Sequence, residues 1–532
     1  MTRMLTLLPI ALASASGFAA NNGDWPSYNR DLASNRYSPL NAITKDNASK
    51  LQQVCAYDTG DETSFQTGPI VVDGKLIATT QFDIFALDPA TCKLLWRQHE
   101  DYKPAGNLKV NRGAAYLDGK LFRGTQDGRV IAYSAQDGKK LWETRIADPA
   151  KGETVPAAPI AANGMVYVGN AGGDNYGVKG RIYGIDAATG KIAWEFFMVP
   201  RGTDRSYVGA GTAETPPEQK TWKNAPDVPI TGGATWTTYT LDADAGLLYV
   251  PGGNPAPDFV PSMRPGDNLY TDSVVVLDAK TGAYKTHYQL VKNDRHDYDA
   301  STAPAIVTTK AGKKIVAIAP KDGHLYAFDI TSGKNLYKTP TTTVSNNDAP
   351  ITESGTHVCP GTQGGSEWNG AAYDPETNLL YVGAVDWCVT LKASKAAAEQ
   401  AKQGEPYSGS PDKKHEFGEL DSQDKWAGWI TAVDADSGKV AWKHKADAPV
   451  MSGVTPTAGG IVFVGDMMGA LMALDAKSGA VVWKHKLDGA AGGGIVTYEA
   501  GGKQLVAVAS GMTSPIWPTP KTTAKIVVFG VP

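Results

Sequence analysis

The 532-residue sequence has little charge, no excess of one sign and only four cysteines. Lys, Arg, Asp and Glu make up 20% of the chain and the formal net charge is −4, so we expect no nucleic-acid partner. The sequence contains neither a glycine-rich phosphate loop nor a nucleophile elbow. Hydrophobic residues still account for 42% of the chain, which excludes global disorder.

After residue 20 the sequence has no hydrophobic run approaching the ~18 residues of a transmembrane helix, so we expect no membrane span. Residues 1–20 place Arg3 before a short apolar run and a series of small residues. That order is typical of a secretory signal peptide, here cleaved near Ala19 or Ala20. The sequence therefore predicts a periplasmic protein, and a lipid anchor is not expected because no cysteine follows the cleavage site.

The four cysteines are Cys55, Cys92, Cys359 and Cys388, and no two of them form a C-x-x-C pair. A thiolate metal site is therefore the weaker interpretation. The C-x-x-C-H signature of covalent haem attachment is missing for the same reason. An even number of cysteines in an exported chain favours disulfides.

Glycine and proline are abundant, with 58 and 33 residues respectively, and they are spread along the whole chain. Glycine and proline spaced this regularly predict many short strands and turns. The one stretch with helix-forming composition is Ala393–Ala401. Because a single core rarely grows beyond ~250–300 residues, a chain of this length needs a divided interior.

A repeat of the form A-x-D-x-x-[TS]-G-K-x-x-W provides that division. In each copy an apolar strand ends in Asp, a tight turn contains a Gly with positive φ, and a second strand carries a Trp. The five clear copies, followed by two weaker ones named by their first residues, are Ala86–Trp96, Ala132–Trp142, Gly184–Trp194, Ala432–Trp442, Ala473–Trp483, Val276 and Ala327.

Four strands in ~40–50 residues correspond to one blade of a β-propeller. Seven copies and one blade shared by both termini predict an all-β, eight-bladed propeller, a single domain over 21–532 that strand Ala524–Gly530 closes. A β-solenoid or two sandwiches fit less well, because one Trp per unit is what radial docking requires. Segments 200–231 and 390–428 break the period and are predicted insertions, either lids on one face or solvated loops.

Four segments of the chain resemble the quinoprotein alcohol dehydrogenases, eight-bladed periplasmic propellers that bind pyrroloquinoline quinone (PQQ) and a divalent cation. The resemblance implies an enzyme that oxidises a small-molecule or polymeric alcohol to an aldehyde or ketone. Hydride would pass to PQQ and electrons to a separate cytochrome c. The segments that carry the resemblance are Asp24–Leu40, Asn111–Gly113, Gly253–Asn268 and Val358–Asp374.

The resemblance also implies the metal ligands. Asn254 matches a cation ligand, and Asp174 stands where the family usually has Glu, although a second alignment places Asn175 there. Asp297 lies beside the cation, and Asp299 matches an extra carboxylate of lanthanide-using members. Oxygen ligands suit a hard cation, and calcium is our first prediction because Asp174 departs from the Glu that lanthanide-using members keep. A lanthanide is the alternative, since a trivalent ion prefers the extra carboxylate.

Segment Arg295–Ala300 resembles the family's catalytic segment, with His296 in place of the usual Trp. Asp297 is then the general base that takes the alcohol O–H proton. A carboxylate beside a cation has a low pKa and stays ionised, as a base must.

The resemblance assigns five further residues to the cofactor and the substrate cavity. Gln66 and Arg112 would bind PQQ carboxylates, Trp236 would stack on the ring, Lys321 would contact the quinone oxygens, and Trp517 would wall the cavity. With Asp174, these residues form the predicted PQQ-binding set.

Two features qualify the resemblance. Lys109-Val110 stands where methanol-type members have adjacent cysteines, so the substrate is left open and a bulkier one is possible. Cys359 and Cys388 match a family disulfide, which leaves Cys55 and Cys92 as the remaining pair.

The alternative function, a non-catalytic periplasmic scaffold of the outer-membrane assembly type, would need a lipidated cysteine and no ligand constellation.

Overall fold

The computed structural model describes residues 23–104, 108–208 and 220–532. The predicted signal peptide at residues 1–20 and the centre of segment 200–231 lie outside the described residues. Within them the chain forms short β-strands almost throughout. These strands make eight antiparallel sheets of four strands and two smaller sheets.

Seven of the four-stranded sheets each take their four strands in chain order, and in two of the seven, strands of the smaller sheets intervene. Their strands, sheet by sheet, are Ile70–Val72, Lys75–Thr79, Asp83–Leu87 and Leu94–His99; Ala115–Leu117, Lys120–Gly124, Arg129–Ser134 and Lys140–Arg145; Ile160–Ala162, Met165–Gly169, Arg181–Asp186 and Ile192–Phe197; Thr240–Asp242, Leu247–Pro251, Ser273–Asp278 and Tyr284–Gln289; Ala305–Thr308, Lys314–Ile318, His324–Asp329 and Asn335–Pro340; Ala372–Asp374, Leu379–Asp386, Ala427–Asp434 and Val440–Ala446; Thr455–Pro456, Ile461–Gly465, Ala470–Asp475 and Val481–Lys486.

The eighth sheet joins the two ends of the described chain. Strand Gln52–Asp58 pairs with Lys525–Gly530, which continues into Lys503–Ser510 and Ile495–Ala500. The pairing confirms that the C-terminal strand closes the sheet array with an N-terminal one. Sequential four-stranded sheets closed in this way form an all-β propeller.

The two smaller sheets and the helices lie in the connections. One pairs Thr231–Gly232 with Pro255–Ala256, and the other contains Thr356–Val358, Val389–Leu391 and Glu419–Leu420. Of the predicted helix at Ala393–Ala401 the structure forms one turn, Lys395–Ala398; four 3-10 turns are also described, Ala48–Lys50, Pro149–Lys151, Pro261–Met263 and Gln423–Lys425. In the described part of the chain, no helix has the length and apolar character needed to cross a membrane.

The repeat motif joins neighbouring sheets as predicted. Asp186 ends a strand, and its Oδ1 accepts hydrogen bonds from the Thr189 amide at 2.8 Å and the Thr189 hydroxyl at 2.7 Å. The Trp194 indole donates to the Ala279 carbonyl of the next sheet at 3.1 Å. A Cβ on Gly282 would lie 2.6 Å from the Trp194 ring, so the turn glycine makes room for the docked indole.

Apolar residues fill the spaces between neighbouring sheets, as in the cluster that joins the Trp194 sheet to the following one. Inner strands are buried, whereas outermost strands such as Lys140–Arg145 alternate between exposed and half-buried positions. The interior is therefore divided into several small layers, which is how a chain of this length avoids a single large core.

Replacing Trp194 with alanine should lower the free energy of unfolding by about 3–5 kcal/mol, because it removes a buried indole from an inter-sheet layer. Urea unfolding followed by circular dichroism measures the change. Trp194→Phe retains most of the packing and loses the indole hydrogen bond, so its cost should stay near 0.5–1.5 kcal/mol. Equal losses for both variants would contradict the docking role of the ring.

Candidate active site

Asp297 sits at a sharp bend in the connection between two sheets. Its φ of +62° lies in the left-handed region. The Asp294 carboxylate stabilises the bend by accepting hydrogen bonds from the His296 amide at 3.0 Å and the Tyr298 amide at 2.9 Å. The His296 ring stacks on Tyr298 at 5.0 Å and contacts the Ala349 carbonyl through Nε2 at 3.0 Å. The contacts of His296 and Tyr298, the residues on either side of Asp297, thus fix the position of its carboxylate.

Lys321 links the two carboxylates of this segment. Its Nζ lies 3.2 Å from Asp297 Oδ2 and 2.6 Å from Asp299 Oδ2, and all three side chains are buried. Burial opposes the charge of the ammonium, but the two carboxylates raise the pKa of Lys321 well above its usual value. Lys321 therefore stays protonated beside Asp297.

The Asn254 loop lies against Asp299. The Asn254 amide donates to Asp299 Oδ1 at 2.9 Å, and the Asn254 side-chain Nδ2 donates to Asp258 Oδ1 at 3.0 Å. A Cβ on Gly253 would lie 2.5 Å from Asp299 Oδ1, so glycine is what allows this approach. The nearby Asn254 side chain also opposes the rise in the pKa of Asp174.

The two alternatives for the second predicted ligand differ clearly. Asp174 interacts electrostatically with Asp299 and Lys321. The Asn175 side chain instead donates to the Gly152 carbonyl at 3.1 Å. The geometry therefore brings Asp174, and not the Asn175 amide, to the predicted cation ligands.

The buried carboxylates carry more negative charge than one ammonium can balance. Burial raises the pKa of Asp174 to about 6, and it raises those of Asp258 and Asp297 well above their usual range. Lys321 counters part of the shift at Asp174 and Asp297. Carboxylate and amide oxygens gathered in this way suit a hard cation, which lowers the pKa of the carboxylates around it.

Arg112 lies between two indole rings. Its guanidinium carbon is 4.8 Å from the Trp236 centroid and 5.0 Å from the Trp368 centroid, and Nη1 donates to the Trp236 carbonyl at 3.0 Å. The Lys321 ammonium lies 5.6 Å from the same Trp236 ring. The predicted stacking residue and the two predicted cations are therefore neighbours.

Gln66 reaches the same region through main-chain pairing, since the Gly68 amide donates to the Arg112 carbonyl at 2.8 Å. Gln66 Nε2 donates to the Ser64 hydroxyl at 3.0 Å. Gln66 Oε1 and Arg112 Nε are buried and have no hydrogen-bond partner in the described chain. The unpartnered Arg112 Nε is a donor beside a flat aromatic wall, which fits a planar, multiply carboxylated ligand such as PQQ, whereas Gln66 Oε1 can only accept a hydrogen bond.

A tryptophan cluster forms another wall. Trp517 lies 5.8 Å from Trp387, which lies 5.3 Å from Trp426, and Trp236 packs against the same apolar group. Trp517 therefore belongs to the same apolar cluster that Trp236 packs against.

Two acidic residues of the site were not predicted. Asp258 directly follows the Asn254–Pro257 segment, and Glu367 directly precedes Trp368. Burial raises the pKa of Glu367 to about 7, with Lys321 and Arg112 opposing the shift. Their position within two of the segments that carry the resemblance was the available signal.

The four cysteines form two disulfides, Cys55–Cys92 and Cys359–Cys388. The second lies near the site, because the Tyr298 hydroxyl donates to the Pro360 carbonyl at 2.9 Å. Both expected pairings are confirmed.

Insertion 390–428 contacts the cation loops. Its Tyr407 amide donates to the Asp174 carbonyl at 2.7 Å, and the Tyr407 carbonyl accepts from the Asp258 amide at 3.2 Å. Tyr407 is buried, so this part of the insertion is packed onto the site.

Comparison with known proteins identifies the family of the chain. The chain matches the family described as PQQ, glucose/ethanol/alcohol dehydrogenase, beta-propeller domain, over residues 25–351 and 345–506. It is 32% identical over 525 residues to the quinohemoprotein alcohol dehydrogenase of Comamonas testosteroni, covering 93% of this chain and 73% of the relative. It is 31% identical over 496 residues to the lanthanide-dependent methanol dehydrogenase of Methylacidiphilum fumariolicum (strain SolV), covering 84% and 78%.

A solved structure, a europium-containing methanol dehydrogenase, is similar with a TM-score of 0.81 at 28% identity, covering 96% of this chain and 98% of the other. The named relatives are dehydrogenases, which supports the catalytic interpretation over the scaffold. The chain belongs to the PQQ-dependent glucose/ethanol/alcohol dehydrogenase family of β-propellers, and it is an oxidoreductase.

Proposed function

We propose that this protein is a periplasmic quinoprotein that oxidises an alcohol to an aldehyde or ketone. Residues 1–20 are its signal peptide, and 21–532 form one eight-bladed propeller with insertions at 200–231 and 390–428. The packed Tyr407 contacts favour a lid role for the second insertion. The eight four-stranded sheets support the blade count.

One observation carries the proposal: the buried Asp297 carboxylate pairs with Lys321, and Lys321 also pairs with Asp299, which accepts a hydrogen bond from the Asn254 amide. Bound PQQ, with its cation, supplies a quinone carbonyl that accepts hydride. Asp297 removes the proton from the alcohol oxygen through a carboxylate oxygen. Lys321 compensates the charge of Asp297 and donates toward an electronegative group in front of it.

The remaining predicted residues orient the cofactor. Arg112 and Gln66 bind its carboxylates, and the unpartnered Arg112 Nε, a hydrogen-bond donor, supports the assignment of Arg112. Trp236 provides the flat wall, and Trp517 lines the substrate side. Asp174 would contribute to binding both the cofactor and the cation.

Asp174, Asn254 and Asp297 would hold the cation, with Asp299 as a further ligand. Calcium is the first choice, since Asp299 already contacts the Asn254 amide and Lys321 through its two oxygens. A lanthanide is the alternative, because a trivalent ion gains from each added carboxylate.

The electron acceptor is proposed to be a soluble cytochrome c, since the sequence has no haem attachment motif. Small-molecule and polymeric alcohols are both open as substrates, because Lys109-Val110 replaces the adjacent cysteines of methanol-type members.

Reconstitution tests the proposal. Full-length protein incubated with PQQ and Ca²⁺ or La³⁺ should bind quinone and reduce an artificial dye with at least one alcohol of a primary, secondary, sugar and polymeric panel. Activity with La³⁺ alone would overturn the calcium assignment. If the protein shows neither bound quinone absorbance nor dye reduction with either ion, the enzyme proposal is contradicted.

A further inference from the structure

Asp258 is a fully buried acid with an unused oxygen. Its exposed fraction is 0%, Oδ1 accepts from Asn254 Nδ2 at 3.0 Å, and Oδ2 has no partner among the described residues. Burying an ionised carboxylate with an unpartnered oxygen destabilises the folded protein unless a positive charge lies close by.

The neighbouring arginine does not use its donors on this carboxylate. Arg264 Nε donates to the Pro257 carbonyl at 3.0 Å, Nη2 to the Asp258 main-chain carbonyl at 2.9 Å, and Nη1 to the Asn268 side chain at 2.9 Å. Arg264 therefore shapes the loop, and the free oxygen of Asp258 remains for another partner.

Asp258 also determines which way the Asn254 amide points. A bound cation lowers the pKa of a carboxyl beside it, and the ionised Asp258 carboxylate can then only accept hydrogen bonds, so Asn254 must present Nδ2 to it. Asn254 Oδ1 then faces away from Asp258, and the main-chain amide of Asn254 is tied to Asp299. An amide oxygen fixed in this way is prepared to bind a cation.

We propose that Asp258 belongs to the cation site, where it orients Asn254 and adds a buried negative charge that stabilises a trivalent ion more than a divalent one. The inference rests on the proposed function, because it assumes a cation bound at Asn254. Asp258 is a positioning residue and touches neither substrate nor PQQ in this role.

The proposal is tested by comparing how much Asp258→Asn weakens the binding of a divalent and a trivalent ion. Coulomb energy is proportional to the charge of the ion, so removing one buried negative charge should cost a trivalent ion 1.5 times as much free energy as a divalent ion. If Asp258→Asn weakens Ca²⁺ binding about tenfold, it should weaken La³⁺ binding about thirtyfold. A residue that acts only through loop structure would weaken both ions by the same factor.

The experiment titrates Ca²⁺ and La³⁺ in parallel into full-length, PQQ-saturated protein by calorimetry, a readout independent of turnover. Asp258→Glu keeps the charge and should retain the wild-type ratio of affinities. Asp374→Asn is the matched control, since Asp374 is equally buried but caps its own turn through Glu376 and Thr377. Thermal unfolding checks each variant, and Asp258→Thr replaces Asp258→Asn if the latter does not fold.

Unchanged affinities in Asp258→Asn, or equal losses for both ions, would overturn the proposal. If the wild-type protein binds neither ion, the cation site of the proposed function fails instead. The two failures are thus distinguishable.

Discussion

Replacing Asp297 with asparagine is expected to lower kcat about 10²–10⁴-fold, the usual contribution of a positioned general base. The amide has the same shape as the carboxylate but cannot take the proton of the alcohol. Lys321 would still pair with Asp299 at 2.6 Å, so the loop should keep its conformation. Dye-linked alcohol oxidation at saturating PQQ and cation measures the effect.

The measurement needs proof that the cofactor is still bound. Quinone absorbance of Asp297→Asn should remain close to that of the wild type when the cation is in excess. Asp374→Asn, a buried carboxylate in a turn of its own, should show wild-type turnover. Wild-type turnover by Asp297→Asn with PQQ bound would show that another group removes the proton.

The division of the chain into sheets could be predicted from sequence because each repeat is a local structure. The Asp186 turn is closed by Thr189, three residues away, and the docking Trp194 follows in the next strand. Even the closing pair could be predicted, since a repeat that begins midway through a sheet needs a strand from the other terminus. The helix at Ala393–Ala401 was overestimated, because composition alone does not show where tertiary contacts stop a helix.

The site was predictable only where the resemblance covered it. It selected Asp297, Asn254 and Lys321, which the structure brings within hydrogen-bond reach of one another or of Asp299. It gave no role to Asp258 or Glu367, whose environment depends on segments far apart in the chain. The Asp258 amide, for example, bonds to Tyr407 in insertion 390–428, a contact without any local pattern.

Lys321→Met should lower kcat about 10²–10³-fold, as expected for the loss of one preorganised electrostatic group in a water-excluded site. The methionine keeps the length of the side chain and removes the ammonium shared by Asp297 and Asp299. Breaking a buried ion pair on one side leaves uncompensated charge, so thermal unfolding should also occur at lower temperature. Steady-state dye reduction and a thermal melt measure the two effects.

Lys314→Met is the matched control for charge removal. Lys314 pairs with the buried Asp242 at 2.5 Å, but the Lys314 side chain is 42% exposed, so solvent screens its charge. Lys321→Arg keeps a positive charge and should recover part of the turnover, which a purely packing role would not explain. If Lys321→Met retains wild-type kcat with PQQ and cation bound, charge compensation of the base by this lysine is wrong, and the cation alone must keep Asp297 ionised.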